Sequence, residues 1–325
     1  MCFQFSPKRF SVLIMTTVFY THPRCHDHVT PPGHPEQVAR LAAIESALSA
    51  PQYDMLDRRE APMATPDKVE LCHPRAHYER IAAAEPQEGW AQLDGDTFLA
   101  PGSLEAAMRA IGGNLAAVDA VIGGEAQNAF VACRPPGHHA ETETPMGFCL
   151  FSTIGIAARY AAVTYGLSRI AVLDFDVHHG NGTQDVLWNE DRVLFVSSHQ
   201  MPLYPGSGGR NEQGAHGQIL NKPLESGSGG VKMRATWDRV IDTALRRYQP
   251  ELILVSAGFD AHRADPLAGL NWSTDDFAWL ARRICDLADE TCAGRVVSSL
   301  EGGYDLDALG ESVSAYIDVM MERGR

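Results

Sequence analysis

Positive charge is scarce in this 325-residue chain: lysine and arginine total 27 against 41 aspartate and glutamate, a formal net charge of −14. A field of that sign repels phosphate backbones and anionic lipid surfaces, so neither nucleic acid nor a membrane is expected as a partner, whereas cationic substrates would be drawn in. Cysteine is sparse too. Cys2, Cys25, Cys72, Cys133, Cys149, Cys285 and Cys292 are odd in number and never form a C-x-x-C pair. That usage argues against a disulfide framework or a cysteine zinc ribbon and fits a reducing, cytoplasmic setting. Long apolar runs are absent: Phe10 to Tyr20, after Lys8 and Arg9, is too short to span a bilayer, lacks an A-x-A cleavage pattern and reads as a first buried strand. No repeat, low-complexity tract or Pro/Ser linker divides the chain, which implies one domain. Within that run Met15 sits just ahead of Thr16-Thr17-Val18-Phe19-Tyr20, so residues 1–15 are read as an N-terminal extension, with Met1 and Met15 both open as translation starts. The glycine-rich stretches at 206–209 and 226–230 lack a P-loop lysine, so nucleotide binding is not indicated.

Short β-rich apolar runs are present at Ala129–Cys133, Ile170–Phe175, Val193–Ser198, Leu252–Ala257 and Val296–Leu300. Each reads as a strand buried on both faces, the pattern of a parallel sheet. Helical patterns lie between them at Glu36–Leu48, Leu104–Ile122, Thr153–Tyr165, Met233–Tyr248 and Thr274–Cys292, the last led by a capping signal at Ser273 to Asp276. This alternation predicts an α/β fold, a single-domain sandwich around a mostly parallel sheet. Polar motifs follow the strands: Arg134-Pro-Pro-Gly-His-His, Asp176-Val-His-His-Gly-Asn-Gly, Gly258-Phe-Asp-Ala-His and Glu301-Gly-Gly-Tyr. They fall at C-terminal strand ends, where open α/β sheets place their sites.

In Leu173-Asp-Phe-Asp-Val-His178, strand periodicity puts Asp174, Asp176 and His178 on one face and Phe175 and Val177 on the other. Like charges gathered at a buried strand end are costly unless a cation neutralises them; a hydrogen-bonded polar network is the alternative. Asp260, after another strand, offers a third ligand, and two Asp with one His leave the open position a catalytic zinc needs. His138 and His139, on a loop stiffened by two prolines, are a pair suited to proton transfer. Tyr304 follows two glycines and can present a phenol to an oxyanion. Gly147-Phe148 and Tyr204 sit in glycine-containing loops and serve equally as channel walls or as packing. His22, His26, His28 and His34 are read as a solvated entrance loop, and His199, His216 and His262 as supporting or surface residues.

The succession RPPGHHA, GFCLF, LDFDVHHGNGTQ, SSHQ, YPGSG, SAGFDAH, DPLAG and EGGYDL, in this order from Arg134 to Leu306, closely resembles the zinc-dependent histone deacetylase family and its bacterial amidohydrolase members, nearer class II than class I. His34-Pro35-Glu36 extends the likeness to nearly the whole chain from about Thr17, which makes residues 16–325 one catalytic domain of arginase/deacetylase fold. By that resemblance the zinc ligands are Asp176, His178 and Asp260. His139 is the general base and later acid, and His138 is the electrostatic partner coupled to Asp174. Asn181 orients His139, in a position where class I members have Asp. Tyr304 is the oxyanion donor, and Phe148 and Tyr204 are the aromatic walls of an acyl-lysine channel. The family also holds a monovalent cation, potassium, near Asp174, Asp176, His178, Ser197 and Ser198.

The resemblance implies removal of acetyl or short acyl groups from an N-acylated amine, either acyl-lysine in a peptide or protein or an acetylated polyamine. Leu267, where the eukaryotic polyamine deacetylase carries glutamate, favours acyl-lysine, because leucine offers a secondary ammonium no partner. Glu141, Glu143, Asp94 and Asp96 are unplaced candidates for acidic selectors. A dinuclear manganese ureohydrolase is disfavoured by His262, which stands where a second Asp is needed, and a silent acyl-binding protein is disfavoured because every catalytic position is filled. A homo-oligomer is left open.

Overall fold

The computed structural model describes residues 16–324. The expected extension at 1–15 and the two candidate starts lie outside the described residues, and the first strand runs from Thr17 to Thr21. The strands are β1 (Thr17–Thr21), β2 (Asp57–Glu60), β3 (Ala91–Gln92), β4 (Phe98–Leu99), β5 (Asn128–Val131), β6 (Ile170–Asp174), β7 (Val193–Gln200), β8 (Ile219–Leu224), β9 (Leu252–Ala257) and β10 (Val296–Leu300). The helices are α1 (Ala39–Ala47), α2 (Pro66–Val69), α3 (Arg75–Ala84), α4 (Ser103–Ile122), α5 (Thr153–Tyr165), α6 (Asn181–Val186), α7 (Gly230–Thr236), α8 (Asp242–Tyr248), α9 (Thr274–Cys292) and α10 (Leu306–Arg323).

Eight strands form one parallel sheet in the order β2-β1-β5-β10-β9-β6-β7-β8, and β3 and β4 make a separate antiparallel hairpin. The central strands are buried along their whole length, as runs of Val, Ile, Leu and Ala require when helices cover both faces. Neighbouring side chains on β5 show the layering: a Cβ on Gly113 of α4 would touch Val131, while Phe130 packs edge-on against Tyr316 of α10. Since successive strand residues face opposite ways, α4 and α10 cover opposite faces and the molecule is a three-layer α/β sandwich. The Ser273/Asp276 capping box starts α9.

Three expected elements differ. The helical pattern from Met233 to Tyr248 is interrupted by a π-turn at Trp237–Ile241, which separates α7 from α8. Helix α1 begins at Ala39, leaving Glu36 in the preceding loop, where its carboxylate pairs with Arg40 and Arg134. Strand β6 ends at Asp174, so Asp176 and His178 stand in the bend beyond it. No helix among the described residues is long and apolar enough to cross a membrane.

Candidate active site

The bend after β6 has a local cause. Asp174 Oδ1 accepts the Asp176 N–H at 3.1 Å and Asp176 Oδ1 accepts the His178 N–H at 2.9 Å, so side chains replace the ladder partners. The in/out alternation nevertheless continues: Phe175 packs among Phe259, Phe277 and Tyr316 in the core, while Asp176 and His178 turn toward the site. From the end of β9, Asp260 Oδ1 accepts the Val177 N–H at 2.8 Å.

Asp176, His178 and Asp260 are buried and each offers a ligand atom within 4.8 Å of the others. His178 Nδ1 is 3.1 Å from both Asp176 Oδ1 and Asp260 Oδ2. Burial, and then the charge on Asp176, pushes the Asp260 carboxyl up to about 7. Burial alone would lower His178, but its hydrogen bonds to Asp176 and Asp260 push it up to about 10. Two buried carboxylates this close demand positive charge between them, and oxygen–nitrogen donors with one open side fit a divalent ion such as zinc. The cradle is tight: a Cβ on Gly258 or Gly302 would run into these carboxylates. Gly302 N–H also donates to Asp176 Oδ2 at 2.8 Å.

The loop after β5 brings the paired histidines alongside, their ring centroids 4.0 Å apart. His138 Nδ1 lies 3.0 Å from Asp174 Oδ2. Burial disfavours its charge, yet the carboxylates of Asp176 and Asp174 outweigh that and raise His138 well above the usual histidine range. His139 Nδ1 lies 2.7 Å from Asn181 Oδ1. Burial, then the positive charges of His138 and His178, depresses His139 well below that range. One ring is therefore held charged and its neighbour neutral, a division that suits acid/base work. Gly147, in a positive-φ conformation, lies against the His139 ring with no room for a Cβ.

Gly303, at φ +122, turns the chain so that Tyr304 enters the same space, and Asp265 Oδ2 accepts the Tyr304 N–H at 2.7 Å. Burial raises the phenol well above its ordinary value, which keeps it a proton donor. Arg40 sits 4.9 Å from the Tyr304 ring centroid and donates through Nε to Gly303 O at 2.6 Å. Phe148, itself at φ +69, meets Tyr304 edge-on at 5.8 Å, and Tyr204 meets His139 edge-on at 5.2 Å. His139, His178, Tyr304, Gly147, Phe148, Tyr204 and Leu267 all line one cavity of about 370 Å³.

Other residues sit differently from their sequence reading. His28 is buried against Ser103 and is not a solvated entrance residue, whereas His34, half-buried, lines the cavity, packs edge-on against Phe98 and Phe148 and hydrogen-bonds Asp96 O at 2.9 Å. Asp96 also lines the cavity. Asp94 instead accepts the Thr97 N–H, Glu141 bonds Asn181, and Glu143 is exposed. Ser197 pairs in register with Asp174, and its hydroxyl is engaged by His199 Nδ1 at 2.9 Å. Sequence reasoning missed the roles of Glu301 and Asp265, whose carboxylates hold the backbones of His138 and Tyr304. Both open motifs quoted above, EGGYDL and DPLAG, and that membership is the one signal that could have flagged them.

An acid–imidazole cluster, a histidine pair and a phenol around one cavity at the C-terminal edge of a parallel sheet describe a hydrolase of the deacetylase type. The histone deacetylase domain profile matches residues 34–320, and the chain belongs to the histone deacetylase family. It is 40% identical over 302 residues to histone deacetylase 10, chloroplastic, of Oryza sativa subsp. japonica, covering 87% of this chain and 68% of that protein. It is 39% identical over 284 residues to the histone deacetylase-like amidohydrolase of Pseudomonas aeruginosa, covering 85% and 74%. The crystal structure of the HDA15 HD domain matches with a TM-score of 0.89 at 29% identity, over 95% of this chain and 89% of that one.

Proposed function

We propose that this deacetylase-family protein is a zinc-dependent amidohydrolase that removes acetyl or short acyl groups from acyl-lysine in peptides or proteins. The observation that carries the reading is the cavity: His139, His178 and Tyr304 line it together with Phe148, Tyr204 and Leu267, a set suited to a linear apolar acyl-amine. Zinc bound by Asp176, His178 and Asp260 would supply Lewis acidity toward the amide carbonyl and the attacking water. Phe148 and Tyr204 flank the methylene stem and exclude bulk water. His139, neutral and with its Nδ1–H directed at Asn181, takes a proton at Nε2 as water attacks and returns it to the departing amine. His138, charged against Asp174, helps hold His139 neutral before attack. The Tyr304 hydroxyl donates to the developing oxyanion. Carboxylate and free amine leave.

A monovalent cation at Asp174, Asp176, His178, Ser197 and Ser198, a catalytic domain spanning 16–325 and a cytoplasmic setting belong to the same reading. An acetylpolyamine substrate is the second reading, favoured by one observation: Asp96 lines the cavity and offers a carboxylate to a secondary ammonium. Measurement of kcat/KM on the zinc-loaded protein with an acetyl-lysine peptide, N8-acetylspermidine and acetylputrescine tests both. The peptide is expected to be preferred; a preference of about a hundredfold for the polyamines, some 2.7 kcal/mol, would reverse the choice.

A further inference from the structure

Asn181 poses a problem that an aspartate would not. Its Oδ1 lies 2.7 Å from His139 Nδ1, but an asparagine amide turned by a half-rotation fills the same space with its NH2 at that position. The two orientations have opposite chemistry. With Oδ1 toward the ring, Nδ1 must carry the proton and Nε2 keeps its lone pair for the substrate side. With NH2 toward the ring, Nδ1 must accept, Nε2 must carry the proton, and the imidazole is no longer a base on that side.

On the far side of the amide, Asn181 Nδ2 donates to Glu141 Oε1 at 2.7 Å, with Met146 Sδ at 3.4 Å from the same nitrogen. A carboxylate only accepts, so it admits the NH2 and rejects Oδ1. Glu141 is held for this purpose by its surroundings. Its main chain closes a turn with Thr144, through Glu141 N–H to Thr144 O at 3.0 Å and Thr144 N–H to Glu141 O at 3.3 Å. That turn is docked on α6, the helix that Asn181 begins, where Asp185 Oδ2 accepts the Thr142 N–H at 2.8 Å and its hydroxyl at 2.6 Å.

We propose that Glu141 is a positioning residue for the reaction: its carboxylate fixes the orientation of the Asn181 amide, and through it selects the His139 tautomer that bears its proton on Nδ1. The inference rests on the reading of His139 as general base. It accounts for a neutral asparagine at this position, because an aspartate there would face the Glu141 carboxylate at hydrogen-bonding distance. Positions 141 and 181 thus act as one unit that accommodates one carboxylate but not two.

The test uses the full zinc-loaded chain with E141Q, N181D and the double variant. Glu141→Gln offers an acceptor to one amide orientation and a donor to the other, so it restores the ambiguity. It is expected to lower kcat by about tenfold, part of the ~10²–10⁴ that a general base contributes, with KM changed less than about twofold. Asn181→Asp alone is expected to lose at least as much. Adding E141Q to N181D rebuilds a consistent chain of donors and acceptors and is expected to recover kcat at least about tenfold over N181D, so the same substitution harms one background and rescues the other. Nitrogen-15 NMR of the His139 ring reads the tautomer without turnover: the Nδ1–H form in the parent, a mixture in E141Q. An E141Q protein with unchanged tautomer, or a double variant no faster than N181D, overturns the assignment. A parent that hydrolyses no acylated amine yet shows the tautomer shift on E141Q defeats the functional reading and leaves the positioning role standing.

Discussion

Glu301 holds His138 by the backbone: its Oε2 accepts the His138 N–H at 3.1 Å, and the Gly137 N–H at 2.7 Å beside it. The carboxyl is buried, and burial pushes it up to about 7 against the opposing charge of His138. Glu301→Ala is expected to leave two buried amides without a partner and to cost about 2–4 kcal/mol in urea unfolding. Glu301→Gln keeps an acceptor and should cost less than half as much. Equal losses for the two variants would mean that the carboxylate acts through something other than these amides.

Asp260→Ala is expected to fold and to lose stoichiometric zinc, measured by elemental analysis after gel filtration, because it leaves only Asp176 and His178. Retention of one zinc with full activity would remove Asp260 from the ligand set.

Tyr304→Phe is expected to keep zinc and stability while kcat drops roughly 10²- to 10³-fold, the scale of one lost oxyanion donor. KM should move much less. An unchanged kcat would assign Tyr304 to packing.

His73 gives a pH dependence away from the site. Its Nε2 accepts the Ser152 N–H at 2.9 Å, its ring stacks on His77 at 4.7 Å, and burial followed by the His77 charge pushes it down to about 4. The unfolded chain takes up that proton near pH 6.5 and the folded chain does not, so stability present above pH 6.5 is lost as pH falls toward 4. His73 alone should account for a loss of about 3 kcal/mol across that window. Urea unfolding of the parent and of His73→Gln between pH 7 and 4.5 checks the sign, with the shallower slope expected in the variant.

Leu267→Glu places a carboxylate in the cavity wall and is expected to shift the ratio of kcat/KM toward acetylpolyamines by at least about tenfold, as a secondary ammonium gains a partner. A ratio that does not move would show that Leu267 lies out of reach of the second amine.

Within the eight-stranded sheet, the strands that sequence patterning missed are its edges. β2 reads Asp57-Arg-Arg-Glu60 and β8 carries Asn221, Lys222 and Pro223, because an edge strand has no need of a continuous apolar run. The central strands were legible for the opposite reason. Within the site, residues clustered in the chain could be grouped by spacing, as with Asp174, Asp176 and His178. The supports Glu141, Asp265, Glu301 and His34 could not, since each acts on a segment brought near only by folding. His34, for instance, bonds a carbonyl 62 residues away.

Arg40 donates to the carbonyls of Gly303 and Glu301, across 263 and 261 residues. A chain emerging from a ribosome therefore displays both histidines and all three acid–imidazole ligands while Tyr304 and its arginine brace are still to be joined. The first hundred residues contribute none of the Asp176, His178 and Asp260 cluster, yet Tyr304, the last residue of the cavity wall, is set in place against them. Because β10 lies between β5 and β9 in the sheet, its arrival joins the strand that leads to the paired histidines to the strand that leads to Asp260, and Arg40, in the first turn of α1, clamps the turn that follows it.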